Sequence, residues 1–298
     1  MGIGRTLVFA QGKGGVGKTT LAANVSALAA AAGHHVLLVD LDQQGNIARD
    51  LGFQPDSGDE LLHALIAATT SLPIVRNVRS NLDVVPGGPA VGDAAVLFTS
   101  REQRGGATLA DALAAKLTAV VDDYDLIVID TPPGDRVIVE AALTVATSVV
   151  IPTRMDEASI DGVTRIAERF IAVRDRNPDL TLAGVVLFAI SSRTTRLERD
   201  VRAALERTLG GAAPVFDTRI RHLDSAAADA RRRGLLVHEL EQAASADRNA
   251  RLQALRSGST PVGNLYARDA SGLAGDYEQL TAEILTRIVQ LEQEYAAS

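Results

Sequence analysis

The sequence predicts a doubly wound α/β protein: a mostly parallel sheet with helices on both faces. Short apolar runs alternate with longer helical stretches along most of the chain. Those runs are continuous in Val, Ile and Leu, without in-and-out alternation, as strands covered on both faces are. A glycine-rich loop joins the first run to the first helical stretch. Strand–helix alternation of this kind implies crossover connections and hence a parallel sheet.

The elements follow in order. Residues 6–10 (TLVFA) read as a strand and 19–32 as an Ala-rich helix. A strand at 36–40 (VLLVD), a helix at 60–68 and a short strand at 82–85 come next. Then follow a helix at 108–121, a strand at 126–130 (LIVID), a helix at 136–145 and a strand at 148–151. A helix at 157–174 and a strand at 182–190 (LAGVVLFAI) close the alternating part. Beyond Ser191 the pattern is helical at 195–209, 223–233 and 276–295, with a short strand near Val215 and Phe216. The polar stretch 243–275, with Ser257-Gly258-Ser259-Thr260-Pro261, reads as an exposed insertion or loop. With no repeats and no second apolar core, residues 1–298 read as one domain.

Composition narrows the function. The chain has 298 residues, 46% of them hydrophobic, enough for a large core without staples. It has no cysteine, which excludes disulfides, thiolate zinc sites, a cysteine nucleophile and thiolate-held iron–sulfur clusters. The N-terminal residues lack the apolar middle of a signal peptide, and no run reaches the roughly 18 apolar residues of a membrane span. A cytoplasmic protein is expected. The net charge of −7 argues against a chain that is basic throughout. Of its 30 cationic side chains 27 are Arg and three are Lys, and two of the lysines, Lys13 and Lys18, share the glycine-rich loop. The five histidines have no metal-ligand spacing and read as surface or packed residues.

That loop carries the chemistry. Gly12, Gly17, Lys18 and Thr19 match the phosphate-loop pattern G-x-x-x-x-G-K-[ST]. Glycines let the backbone take positive φ and bring its N–H groups close to phosphate oxygens. The helix that follows points its positive dipole end at the same anion. Lys18 can reach β- and γ-phosphates, and the Thr19 hydroxyl can bind Mg²⁺. Two apolar strands end in carboxylates, one in Asp40 followed by Asp42 and one in Asp130. Ligands of doubly wound sheets bind at those strand ends, so Thr19, Asp40 and Asp130 are the expected metal set.

These stretches resemble the ParA/MinD family of P-loop ATPases with a deviant Walker A motif. The carriers are Lys13-Gly14-Gly15-Val16-Gly17-Lys18-Thr19-Thr20, Asp40-Leu41-Asp42-Gln43-Gln44-Gly45-Asn46, and Tyr124-Asp125 through Asp130-Thr131-Pro132-Pro133-Gly134. Ile151-Pro152, Glu157 and Gly162 also fit, and the resemblance runs from about residue 7 to 234. It implies ATP and Mg²⁺ as cofactors and places Gly12 through Thr20 on the phosphates. Asp42 matches the residue that positions the attacking water, and Asp130 reaches Mg²⁺ through water. Lys13 matches the lysine that crosses a dimer to the partner's nucleotide. Glu157 and Ser159 are expected at the dimer face. Gln43 stands where the family has Pro, which would leave that loop less rigid.

Within the family, the absent thiolates exclude the nitrogenase-iron-protein and iron–sulfur-scaffold types. A MinD-type membrane helix is basic, whereas the last turns here carry Glu292 and Glu294, so no membrane partner is expected. The nearest type is a ParA-like partitioning ATPase without an N-terminal helix-turn-helix domain, since the phosphate loop starts at Gln11. Such a protein would be nucleoid-associated. It would dimerise with ATP, bind duplex DNA non-specifically and release it when a ParB-type centromere-binding partner stimulates slow hydrolysis. Residues 193–233 hold ten arginines against six acidic residues. Arg219, Arg221, Arg231, Arg232 and Arg233 are therefore the expected DNA contacts. The triplet also ends a helix before Gly234, where cations oppose the dipole with no DNA present. Glu278 and Gln279 follow Tyr277 where relatives carry a basic residue, which turns attention to Arg251, Arg256 and Arg268 as well. The alternatives are a MinD/MipZ-like positioning ATPase and a metabolic P-loop enzyme of the dethiobiotin-synthetase type.

Overall fold

The computed structural model describes residues 2–67, 69–191, 195–257 and 271–296. The first half contains β1 (Thr6–Phe9), α1 (Lys18–Ala31), β2 (Val36–Asp40), α2 (Asn46–Leu51), α3 (Asp59–Ile66), β3 (Val75–Arg79), β4 (Leu82–Val85), α4 (Val91–Glu102) and α5 (Leu109–Thr118). Then come β5 (Leu126–Asp130), α6 (Arg136–Val145), β6 (Ser148–Thr153), α7 (Glu157–Val173), β7 (Thr181–Ile190) and α8 (Thr195–Leu209). The chain continues with β8 (Ile220–Arg221), α9 (Asp224–Arg233), α10 (Val237–Arg256) and α11 (Ser271–Ala296).

One eight-stranded sheet has the order β3-β4-β2-β5-β1-β6-β7-β8. Every pairing in it is parallel except that of β3 with β4. The expected class, a mostly parallel sheet between helical layers, is what forms. Along β1 the side chains alternate between two cores. Leu7 and Phe9 join the layer of α1, α9 and α11, while Val8 and Ala10 join the layer of α3 to α7. Both cores are apolar, so the strand reads as one continuous hydrophobic run.

Register positions the site. Phe9 pairs with Asp130, and Asp130 with Asp40, so β1, β5 and β2 end level with one another. The loop after β1 therefore opens beside two strand-end carboxylates. From β1 the chain winds one way to β2 and the other way to β6, which makes this a topological switch point, the usual ligand position in open α/β sheets.

Several elements depart from the sequence reading. The edge strand β3 (VRNVR) is largely exposed and has no apolar run to announce it. Helix α2 has only six residues, between Gly45 and Gly52, both left-handed. Helix α4, which the sequence reading leaves unassigned, follows the turn-rich Gly87-Gly88-Pro89. The fourth is a correction. Residues 243–256, read as part of an insertion, are the exposed second half of α10, anchored through Val237 and Leu240 at its start. The last helix begins at Ser271 rather than 276. Residues 258–270 of that stretch lie outside the described residues.

Helix α11 lays Leu273, Tyr277, Leu280, Ile284 and Ile288 into the core beside α1. Its far end is tied down. Glu292 pairs with Arg5 at 2.5 Å, and the Tyr295 hydroxyl donates to Asp179 at 3.0 Å. The other oxygen of Asp179 accepts the Gly2 N–H at 3.1 Å. Among the described residues no helix is long and apolar enough to cross a membrane.

Leu280 is wholly buried under α11. Leu280→Ala should lower stability by about 2–5 kcal/mol, read as a lower urea midpoint with an unchanged slope.

Candidate nucleotide site

The loop between β1 and α1 has the backbone its glycines permit. Gly15 and Gly17 sit at φ 72° and 91°, and Gly17 is the residue on which α1 begins. A Cβ on Gly17 would collide with the ring of Phe188, at the end of β7. Gly17 is thus required twice, for its dihedral and for the ring packed on it. The first N–H groups of α1 have no intrahelical acceptor and face the loop.

Lys18 is almost fully buried, with its ammonium 3.4 Å from the Lys13 carbonyl. Burial lowers its pKa, while Asp130 and Asp42 pull the other way. Asp130 is fully buried, and neither of its carboxylate oxygens has a hydrogen-bond partner of good geometry among the described residues. Burial pushes this carboxyl up to about 7, against the Thr19 hydroxyl and the Lys18 ammonium, which favour its charge. An orphaned buried carboxylate beside a threonine hydroxyl, at the mouth of a phosphate loop, fits a hard cation held chiefly by water and phosphate oxygen.

Asp40 is also fully buried, and burial raises its pKa well above the usual carboxylate range, helped by the nearby charge of Asp130. Its oxygens accept the N–H groups of Asp42 at 2.9 Å and Ile47 at 3.3 Å. Asp40 thereby holds the 42–47 loop in place, and Asp130 is the carboxylate with both oxygens open. Asp42 accepts the Gln44 N–H at 2.9 Å, and its carbonyl accepts that of Gly45 at 3.0 Å. This side-chain-to-backbone turn pins the loop without a proline. Gln43 packs on Gly92, where a Cβ would meet its amide oxygen at 2.5 Å.

Lys13 has its partner outside the two strand-end carboxylates. Its ammonium pairs with Asp156 at 2.5 Å, half exposed to solvent. Asp156 caps α7, accepting the N–H and the hydroxyl of Ser159 at 3.0 and 2.9 Å. Burial opposes its ionisation, but the bonds from Lys13 and Ser159 outweigh this and hold the carboxyl below its usual range. Ser159 is wholly buried in that cap, with its carbonyl bound to Gln11, so it does not line an outer face; Glu157 is exposed.

A cavity of about 710 Å³ opens beside Gly15, Gly17 and Thr20 and runs between Phe188 and α9. Ala189 in its wall has φ 58°, strained for a residue with a side chain. No motif in the sequence marked Phe188 or Ala189, because β7 continues its apolar run into them. Arg49, Arg154 and Arg232 reach the same cavity.

The five arginines singled out by charge divide unevenly. Arg219 pairs with Glu198 at 2.8 Å, and Arg221 grips Asp276 through two bonds of 2.7 and 2.8 Å. Arg231 binds Asp50 at 2.8 and 3.3 Å, and Arg233 pairs with Asp229 at 2.9 Å. These four tie one element to another or one helical turn to the next. Of the five, Arg232 is the one exposed without such a partner among the described residues. Arg251 pairs with Asp247, Arg256 is exposed, and Arg268 lies outside the described residues.

A phosphate loop at the switch point of a parallel sheet, facing an open buried carboxylate, defines a P-loop nucleotide-binding protein. A family model described as "AAA domain" matches residues 4–182. The sporulation initiation inhibitor protein Soj of Bacillus subtilis is 32% identical over 198 residues, 64% of this chain and 75% of that protein. The chain belongs to the ParA/MinD family of P-loop ATPases and resembles its ParA-type members. Among solved structures, the cobyrinic acid a,c-diamide synthase of Mycobacterium smegmatis with bound ADP and magnesium is 28% identical. It covers 88% of this chain and 100% of its own, with a TM-score of 0.64. A complex of a Cyanothece McdA variant with ATP shares the fold at 20% identity, with a TM-score of 0.69, over 96% of this chain and 98% of its own.

Gly17→Ala should cut affinity for a fluorescent ATP analogue at least about tenfold while leaving the circular dichroism spectrum unchanged, because the added methyl must displace Phe188 or the loop.

Proposed function

We propose that this ATPase is a DNA-partitioning switch: ATP closes two copies into a dimer, the dimer binds duplex DNA without sequence preference, and hydrolysis releases it. The observation that carries the reading is the division of labour between two lysines in one loop. Lys18 is buried at its own phosphate site, whereas Lys13 is held outside it by Asp156. A half-exposed cation held by a carboxylate other than Asp40, Asp42 and Asp130 is available to a nucleotide brought to it. Two triphosphates facing each other repel, and a lysine from each subunit lowers that repulsion. The relatives named for chromosome partitioning point the same way.

In this reading the α1 N-terminus, Gly12 through Thr20 and Lys18 hold the phosphates. Thr19 and Asp130 are the residues that would hold Mg²⁺, which would supply neutralisation of the phosphate charge. Asp42, nearly buried and fixed by its turn, orients the attacking water. Hydrolysis is then positioning and electrostatics, with little covalent chemistry for the protein. A ParB-type partner would act by completing this arrangement.

Two features bear on the alternatives. The end of α11 carries Glu292 and Glu294 and is tied to Arg5 and Asp179, which argues against this helix as a basic membrane anchor. The likeness to a protein named as a cobyrinic acid diamide synthase keeps a metabolic reading as the second choice. A titration of duplex DNA with ATP, ADP or no nucleotide, at two salt concentrations, decides between them. The partitioning reading expects salt-sensitive binding with ATP only, and binding that is absent or indifferent to nucleotide overturns it.

Lys13→Ala should bind ATP with an affinity within about threefold of wild type yet fail to dimerise, as seen by light scattering. Asp42→Ala should form ATP-dependent dimers that persist, with phosphate release slowed at least about a hundredfold.

A further inference from the structure

Three arginines at the cavity, Arg49, Arg154 and Arg232, have no ion pair among the described residues, and two of them are exposed. Arg49 on α2 and Arg232 on α9 are exposed, reach the rim of the same cavity and have no ion pair or hydrogen bond among the described residues. Each is adjacent in sequence to one half of the bidentate Asp50–Arg231 pair, in which Asp50 is almost fully buried. That pair ties α2 to α9, the helices that carry Arg49 and Arg232, while Asp224 stays exposed at the same cavity.

The junction of α2 and α9 is built as a rigid joint. Helices α2 and α9 end on Gly52 and Gly234, both left-handed, and a Cβ on Gly234 would collide with the Gly52 Cα. Arg79 locks the two ends by donating to the carbonyls of Leu51 and Gly234, each at 3.1 Å, and it also pairs with Glu239. At the other end of α2, Asp40 accepts the Ile47 N–H and also holds Asp42. One carboxylate at the nucleotide end thus grips both the Asp42 loop and the helix that carries Arg49.

We propose that Arg49 and Arg232 form the phosphate-contacting pair for duplex DNA, and that the α2–α9 joint relays the nucleotide state to it. This rests on the DNA-binding reading above. The nucleotide's own phosphates have Lys18 and the loop N–H groups, so two solvent-reaching cations at the rim are left for a second polyanion. Arg219, Arg221, Arg231 and Arg233 are then scaffold, although the composition of the sequence favours them equally.

The test uses the full chain, random-sequence duplex DNA and fluorescence anisotropy over a salt series with ATP. The Arg49→Ala/Arg232→Ala double variant should lower the slope of log K against log salt by about 2 per subunit while still dimerising with ATP. Arg219→Ala should leave the slope as in wild type. Asp50→Asn, which loosens the joint but keeps both contacts, should bring the ratio of DNA affinities with ATP and ADP towards one. A double variant with the wild-type slope, or one that loses DNA only because it no longer dimerises, overturns the assignment. An unchanged ratio in Asp50→Asn overturns the relay. A wild type that retains no DNA with ATP overturns the parent reading and this proposal with it.

Discussion

Negative charge buried at the carboxyl ends of β2 and β5 is the constraint around which this fold is arranged. Asp40 and Asp130 are both fully buried and in register with each other, and the charge of Asp130 disfavours ionisation of Asp40. Burying a carboxylate is costly unless it is paired or hydrogen-bonded. Asp40 meets that cost with two backbone N–H groups of its own loop. Asp130 meets it only in part, through Lys18 and the Thr19 hydroxyl. The site is therefore electrostatically incomplete without a cation, and a cation brought with a triphosphate completes it.

The same logic explains the two lysines. A single ammonium buried at the phosphate loop already has its pKa lowered by burial, so adding a second beside it would cost more than it returns. The second cation is placed outside, on Asp156, where both partners remain half in water. An exposed pair of this kind contributes under about 1 kcal/mol. Such a weak contact fixes the lysine's direction yet yields easily to a triphosphate, whose charge is larger and whose site is drier.

Much of the fold and the phosphate site is legible in the sequence, for physical reasons. The β1, β2, β5 and β6 strands are continuous apolar runs because both faces are covered, and the phosphate loop is a string of residues whose backbone demands leave few alternatives. The elements that the sequence hides lack such signatures. β3 is an exposed edge held by pairing with β4, α2 is a six-residue helix fixed by its two glycine caps and its neighbours, and α10 is polar because half of it faces water. Phe188 is concealed inside a strand-like run; its role comes from the approach of Gly17, a contact between residues far apart in the chain.

Charge counting reaches its limit in the arginine-rich segment. Ten arginines against six acids suggest a nucleic-acid surface, yet Glu198, Asp50, Asp229 and Asp276 absorb four of the five that the count singles out. Two of those acids lie far away in sequence, and the planar fork of arginine suits them because it binds a carboxylate through two bonds. The lysine count carries the complementary lesson. Besides Lys13 and Lys18, the remaining lysine, Lys116, is buried and donates to the carbonyls of Ala67 and Thr70 at 2.9 and 2.5 Å. A chain that uses arginine for most surface and scaffold cations has kept lysine at two buried positions and at one half-exposed position in the phosphate loop. Rarity of a residue type therefore locates the chemistry better than abundance does, because an abundant cation is shared between scaffold and surface and a rare one is not.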